Sequence, residues 1–231
     1  MIQPPETAGA AADTAAELVQ KEMKLIEVIS EASDSWYILI PLLLMSIYAI
    51  YVFVERLMTL RKADKEEEQF MLRIKDYVHE GKLDSAKNLC ASTDSPVARM
   101  VEKGVSRIGK PMQDIKASIE NVGKLEISRL ENNLSSLATI SGIAPMLGFL
   151  GTVIGMIQVF YNLKSAGISG DFLEKLSGGI MTAMVTTVAG LIVGIMAYFF
   201  YNFLVSRVSR VVQNMEAHSI EFIDILEEPG K

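Results

Sequence analysis

The run Asn132–Leu163, NNLSSLATISGIAPMLGFLGTVIGMIQVFYNL, decides the fold. It carries no charged residue over about 32 positions. A helix rises about 1.5 Å per residue, so about 20 apolar residues cross a hydrocarbon layer roughly 30 Å thick. The same feature recurs in Leu176–Ser206, over about 31 positions, and in Ser35–Val54, over about 20. The rest of the chain is dense in charge: 50% of residues are hydrophobic, yet 22% are charged. Core helices of a soluble protein are usually shorter than these runs. A chain of 231 residues also keeps too little mass elsewhere to bury three of them. The expected fold class is therefore an all-α membrane protein with three transmembrane helices and long helical extensions.

Several function classes are excluded at once. Cys90 is the one cysteine, so no intramolecular disulfide forms. His79 and His218 are far apart and lack companions at ligand spacing, which argues against a metal site. Net charge is −6, with no basic run dense enough for nucleic acid. Intramembrane hydrolysis needs a Ser/His pair, paired aspartates or a metal, and the second and third spans hold none. No enzyme activity and no cofactor are expected. The start, MIQPPETAGAAADTAAELV, has neither a basic nor an apolar signal region. It is not a signal peptide as it stands, and a mature end left by cleavage fits it equally.

Charge and punctuation divide the chain. Residues 1–34 form an outer segment, Pro/Ala/Gly-rich at first. It then becomes helical in pattern through Leu18, Leu25, Ile26 and Ile29, lying on the membrane surface or against a neighbouring subunit. The first span, 35–54, begins at Trp36 and Tyr37 and is followed by Arg56, Arg61, Lys62 and Lys65. Aromatics favour the interface and basic residues the cytoplasm, so the N-terminus is expected in the periplasm. Residues 55–135 read as cytoplasmic helices broken at Gly81, at Ser92–Pro96 and at Gly109-Lys110-Pro111. The apolar series Ile115, Ile119, Val122, Leu125, Ile127, Leu130 and Leu134 predicts one unbroken helix running into the second span, 136–163. A short periplasmic loop, 164–177, leads to the third span, 178–205. Arg207 and Arg210 then place the C-terminal helix, 206–231, in the cytoplasm, consistent with the first basic cluster.

The spans are not uniform grease. Gly142, Gly148, Gly151 and Gly155 offer small residues in the second. Gly179, Ala183, Thr186, Gly190 and Gly194 advance by helical steps in the third. Small residues let helices approach closely in lipid. Thr152, Thr182, Thr186 and Thr187 add hydroxyls at membrane depth. Each either bonds its own helix backbone, or the four together line a wet path and offer oxygens to a hard cation. Neither span contains a carboxylate, lysine or histidine. Proton transfer through side chains needs such a group at membrane depth, so a partner must supply it if protons cross. Pro145 removes a backbone hydrogen bond and is a candidate kink.

The run Ala144–Met156, APMLGFLGTVIGM, resembles the APLLGLLGTVxGM signature of the MotA/TolQ/ExbB proton-channel family. Gly179–Leu191, GIMTAMVTTVAGL, is similar to that family's third-span motif GIxEALxxTAxGL, and Glu55-Arg56-Leu57 to its usual ending after the first span. Three spans resemble the ExbB and TolQ branch rather than MotA, which has four. The resemblance implies a homopentamer in the bacterial inner membrane, with two helices of an ExbD/TolR-like partner dimer in its pore. That partner carries the ion-accepting aspartate, and a TonB- or TolA-like protein delivers the work across the periplasm. It implies that Thr152 and Thr187 face the pore; with them Thr182 and Thr186 are read as lining the ion path, and the small-residue spacing marks Gly148, Gly151, Gly155, Ala183, Gly190 and Gly194 as packing the helices. One position departs: the family's third-span glutamate falls at Thr182. The pair Thr186-Thr187 resembles sodium-driven stators, so the transported cation is H⁺ or Na⁺. A non-conducting structural scaffold is the rival reading.

Overall fold

The computed structural model describes residues 36–63, 68–166 and 172–227. The expected outer segment, Lys65, part of the loop after the second span and the Pro229-Gly230 stop lie outside the described residues. Those described form seven helices: α1 Trp36–Ala63, α2 Glu68–His79, α3 Leu83–Ser92, α4 Pro96–Val105, α5 Met112–Glu131, α6 Leu134–Ala166 and α7 Phe172–Glu227. The fold is all-helical, and three stretches are long and apolar enough to cross a membrane, with mean hydropathy 2.3, 1.9 and 2.1. Only 22%, 28% and 33% of an apolar 18-residue window in each is buried within the chain. Met146 (71% exposed) and Ile195 (67%) stand on open apolar faces that water would not tolerate and lipid does. This is a membrane protein.

The described residues divide into two compact units, one of residues 36–47 with Ile140–Met196, the other of Tyr48–Thr139 with residues 197–227. In the first unit, Ile38, Leu42, Ala144, Val159, Ala183 and Val193 are buried.

In the second unit α2, α3, α4 and α5 pack in chain order. Their boundaries follow from local chemistry. Gly81 (φ +71°) and Gly109 (φ +95°) adopt the left-handed region at two turns. Ser92 and Thr93 both donate to the Leu89 carbonyl, at 2.8 and 3.0 Å, and help close α3. Ser95 caps α4 by accepting from the Ala98 N–H at 3.1 Å, and Pro96 opens the first turn. Such a cap contributes about 1 kcal/mol. Gly104 lets α4 meet α7: a methyl group there would strike the Phe222 ring and stand 3.0 Å from Ile119 Cδ1. Phe53 stacks on Phe200 at 4.1 Å, and Arg207 lies 5.4 Å over Phe203.

One expectation is corrected in this unit. Helices α5 and α6 are not continuous. Asn132 leaves helical geometry (φ −53°, ψ 142°) and Asn133 is left-handed (φ +61°). Asparagine visits that region more readily than most residues, and the neighbouring Asn132 Oδ1 accepts from the Asn133 N–H at 3.0 Å. On α5 the buried stripe is Ile115, Ile119, Gly123, Glu126 and Leu130, while Leu125 is 63% exposed. Glu126 fits the stripe because its Oε2 accepts from Arg99 Nη2 at 2.8 Å and its Oε1 from Arg129 Nη1 at 2.6 Å. Arg56 Nη1 adds a bond to the Arg129 carbonyl at 3.0 Å. Burial works against the charge on Arg99, but its bonds to Glu126 and Asp94 outweigh this and raise its pKa.

Candidate ion path along the second and third spans

Helices α6 and α7 meet along a seam with a glycine in every residue pair. The residues pair in antiparallel order: Val159 with Gly179, Gly155 with Ala183, Gly151 with Thr186, Gly148 with Gly190, and Pro145 with Gly194. From Gly179 to Gly194 this covers about 22 Å of helix at 1.5 Å per residue. A methyl group on Gly148 would stand 2.9 Å from the Thr186 carbonyl oxygen and 3.1 Å from Gly190 Cα. One on Gly190 would stand 2.6 Å from the Ala144 carbonyl oxygen, and one on Gly155 2.9 Å from Ala183 Cβ. One on Gly194 would stand 2.5 Å from Pro145 Cγ, so the proline ring packs into the space that glycine leaves. Backbones this close gain dispersion contacts, the main attraction available between helices in lipid.

Gly142 does not belong to this seam; a methyl group there meets nothing within 4 Å. It lies six residues before Gly148, about a third of a turn off the face. Ile38 of α1 does belong, since its Cδ1 would be 3.2 Å from a methyl group on Gly151. The sequence marked α1 as a span but gave no sign of that contact.

The four threonines divide. Thr186 is wholly buried, donating to the Ala183 carbonyl at 2.7 Å, with Gly148 O at 3.5 Å, the outer limit of a bond. It is a fastener of the seam rather than part of an open wet face with the others. The cause is its position three residues from Ala183 and four from Gly190, on their face. Thr187 is half-buried and donates across the helices to the Gly148 carbonyl at 3.1 Å. Thr152 and Thr182, also half-buried, bond their own helices, to Phe149 O at 2.6 Å and Gly178 O at 3.0 Å. In each case the hydroxyl proton is committed to a carbonyl. At Thr152 and Thr187 the oxygen keeps only its acceptor lone pairs for anything else that approaches. Such an oxygen can ligate a cation or accept from water but cannot itself change charge.

The model of the MotA/TolQ/ExbB proton channel family matches residues 92–217, more than half of the chain. The chain belongs to this family. It is similar to a biopolymer transport protein ExbB homolog of Methanothermobacter thermautotrophicus, 26% identical over 171 residues. That match covers 74% of this chain and about three fifths (60%) of the relative. The biopolymer transport protein ExbB of Neisseria meningitidis serogroup A is 25% identical over 208 residues, 83% of this chain and 92% of that protein. The Tol-Pal system protein TolQ of Haemophilus influenzae is 36% identical over 101 residues, 44% of this chain and 43% of that protein. The family is one of channels rather than enzymes. Its match takes in α4, α5, α6 and most of α7, so the whole α6–α7 seam falls inside it, while α1 and Glu55-Arg56-Leu57 precede it.

Proposed function

We propose that this chain is the channel-forming stator subunit of an ion-driven motor in the bacterial inner membrane. Five copies form a ring, N-termini in the periplasm and the helices of residues 55–135 and 206–231 in the cytoplasm. The ring encloses two membrane helices of an ExbD/TolR-like partner. Ion passage works that partner against the ring, and a TonB- or TolA-like protein carries the work to the outer membrane for import or envelope maintenance.

The observation that carries this reading is the chemistry beside the seam. Thr152 and Thr187 offer acceptor oxygens at membrane depth, with no carboxylate, lysine or histidine in either span. A path so lined favours a positive charge without trapping it by titration, and leaves the titrating acid to a partner. Thr182 stands beside the path where the family motif has glutamate, and adds a third oxygen. The coupling ion is H⁺ if the partner's acid suffices, and Na⁺ if the threonine oxygens replace part of its hydration shell.

The test is ion flux through vesicles holding the chain with its ExbD/TolR-like partner, under separate proton and sodium gradients. Flux of one ion that Thr187→Val abolishes supports the reading. No flux of either ion from an assembled complex would overturn it in favour of a non-conducting scaffold. That second reading draws on one specific fact: every one of the four hydroxyls already bonds a backbone carbonyl.

A further inference from the structure

Thr59, Lys62, Asp94, Arg99, Glu126 and Arg129 line a cavity of about 320 Å³ in the second unit, remote in sequence from every residue of the proposed ion path. Its charges do not cancel. Glu126, 4% exposed, gives one oxygen to Arg99 and the other to Arg129, at 2.8 and 2.6 Å. Asp94 Oδ1 takes Arg99 Nη1 at 2.8 Å. Both carboxylates are thus engaged by the two arginines, and Lys62 remains as a surplus cation. The N-terminal turn of α4, with Pro96 on the cavity wall, adds its partial positive charge. Arg99 also has a buried Nε with no acceptor. A buried donor of a charged group is costly to leave unmade, and here it belongs to a cavity wall.

Depth narrows the ligand. Thr59 and Lys62 follow Val54, the last residue of the first uncharged run, by five and eight positions of continuous helix. Thr59 therefore lies about 7.5 Å beyond the hydrocarbon edge, at the outer limit of a headgroup layer roughly 5–7.5 Å deep on each side. Lys62 is exposed, and its long stem reaches back to that level. Arg129 and Leu130 close the cavity just before α6 begins its apolar run. The volume falls at the lower end of small-ligand sites, roughly 300–1,000 Å³, enough for a phosphate and a short polar group.

We propose that this cavity binds the phosphate of an anionic phospholipid at the basic end of the first span. The phosphate accepts from Lys62 Nζ, Arg99 Nε and the helix terminus, and the acyl chains run back along the apolar face of α1. A soluble phosphate has the same chemistry, but the depth of Thr59 favours the lipid. The proposal depends on the membrane fold and not on ion flux.

The full-length protein is stripped of lipid in detergent and titrated with phosphatidylglycerol or phosphatidylcholine, and retained lipid is counted by native mass spectrometry. Phosphatidylglycerol is expected to be retained in preference, with retention falling at least fivefold in Lys62→Gln and also falling in Thr59→Val. Arg61→Gln removes the same charge one residue away, at a position that does not line the cavity, and leaves retention unchanged. Equal retention of the two lipids overturns the proposal, as does equal loss in Lys62→Gln and Arg61→Gln. Thermal stabilisation of lipid-free protein by inorganic phosphate, without any preference for phosphatidylglycerol, assigns the cavity to a soluble anion and also overturns it.

Discussion

A threonine at membrane depth is ambiguous until its neighbours are known, and Thr186 and Thr187 illustrate why. They are adjacent, yet about 100° apart around the helix. One is sealed between Gly148 and Gly151, and the other reaches the Gly148 carbonyl from the seam's edge. The spacing from Ala183 and Gly190 puts Thr186 on the small face, but the sequence cannot say that Thr187 reaches a carbonyl across the seam, because that depends on the angle at which α6 lies on α7. Thr187→Val keeps the volume and removes the oxygen, so ion flux should vanish while the mass of the assembly is unchanged. Thr187→Ser should restore flux. Glu126 was hidden for a different reason. A carboxylate within an apolar stripe reads as an interruption, and its partner Arg99 lies 27 residues away on another helix. Glu126→Gln keeps the shape and weakens two charge-assisted bonds. It should cost about 2–4 kcal/mol, seen as a lower melting temperature in detergent. Cys90 is buried, and burial, reinforced by Glu102, pushes its thiol up to about 12. Alkylation of the folded protein near pH 8 should therefore be slow, and unfolding should release it. A raised acid keeps its full contribution to stability below the unfolded value near 9, and loses it as pH climbs towards about 12. Denaturant midpoints measured across that window give the check.

At the scale of elements, the three spans and the close pairing of α6 with α7 were readable because both depend on spacing alone. Charge-free length selects a span, and small residues at steps of three and four select the face. Gly142 is a small residue but off the face, because six residues from Gly148 is about a third of a turn away, an angle that spacing alone gives. The break at Asn132-Asn133 escaped notice because asparagine is only mildly unfavourable in a helix, and the backbone angle alone reveals it. Asn133→Gly should be tolerated, and Asn133→Val should lower stability by roughly 1–2 kcal/mol, the cost of a β-branched residue held left-handed. Thermal unfolding of the two variants side by side tests this. The seam makes a sharper demand. Gly151→Leu would drive a side chain into Thr186 and Ile38. It should separate the helices or prevent insertion, read as loss of the folded fraction after membrane extraction. A variant that assembles and melts normally would show that this contact contributes nothing.

For the molecule as a whole, segregation of charge from apolarity is the dominant fact. It was visible without coordinates and corresponds to the exposed faces of the three spans. On the function proposed above, the acid that its uncharged spans lack belongs to a partner polypeptide, and this chain does not encode it. Trp36 gives the fold a practical property. It is the one tryptophan of the chain, 63% exposed in the first turn of α1. Its indole emission therefore arises from a single known place at the edge of the bilayer. Quenching by lipids brominated at graded positions along their tails would fix the insertion depth of α1 optically, with no label attached. A change in that depth as the membrane is energised would be a direct optical signal of α1 moving.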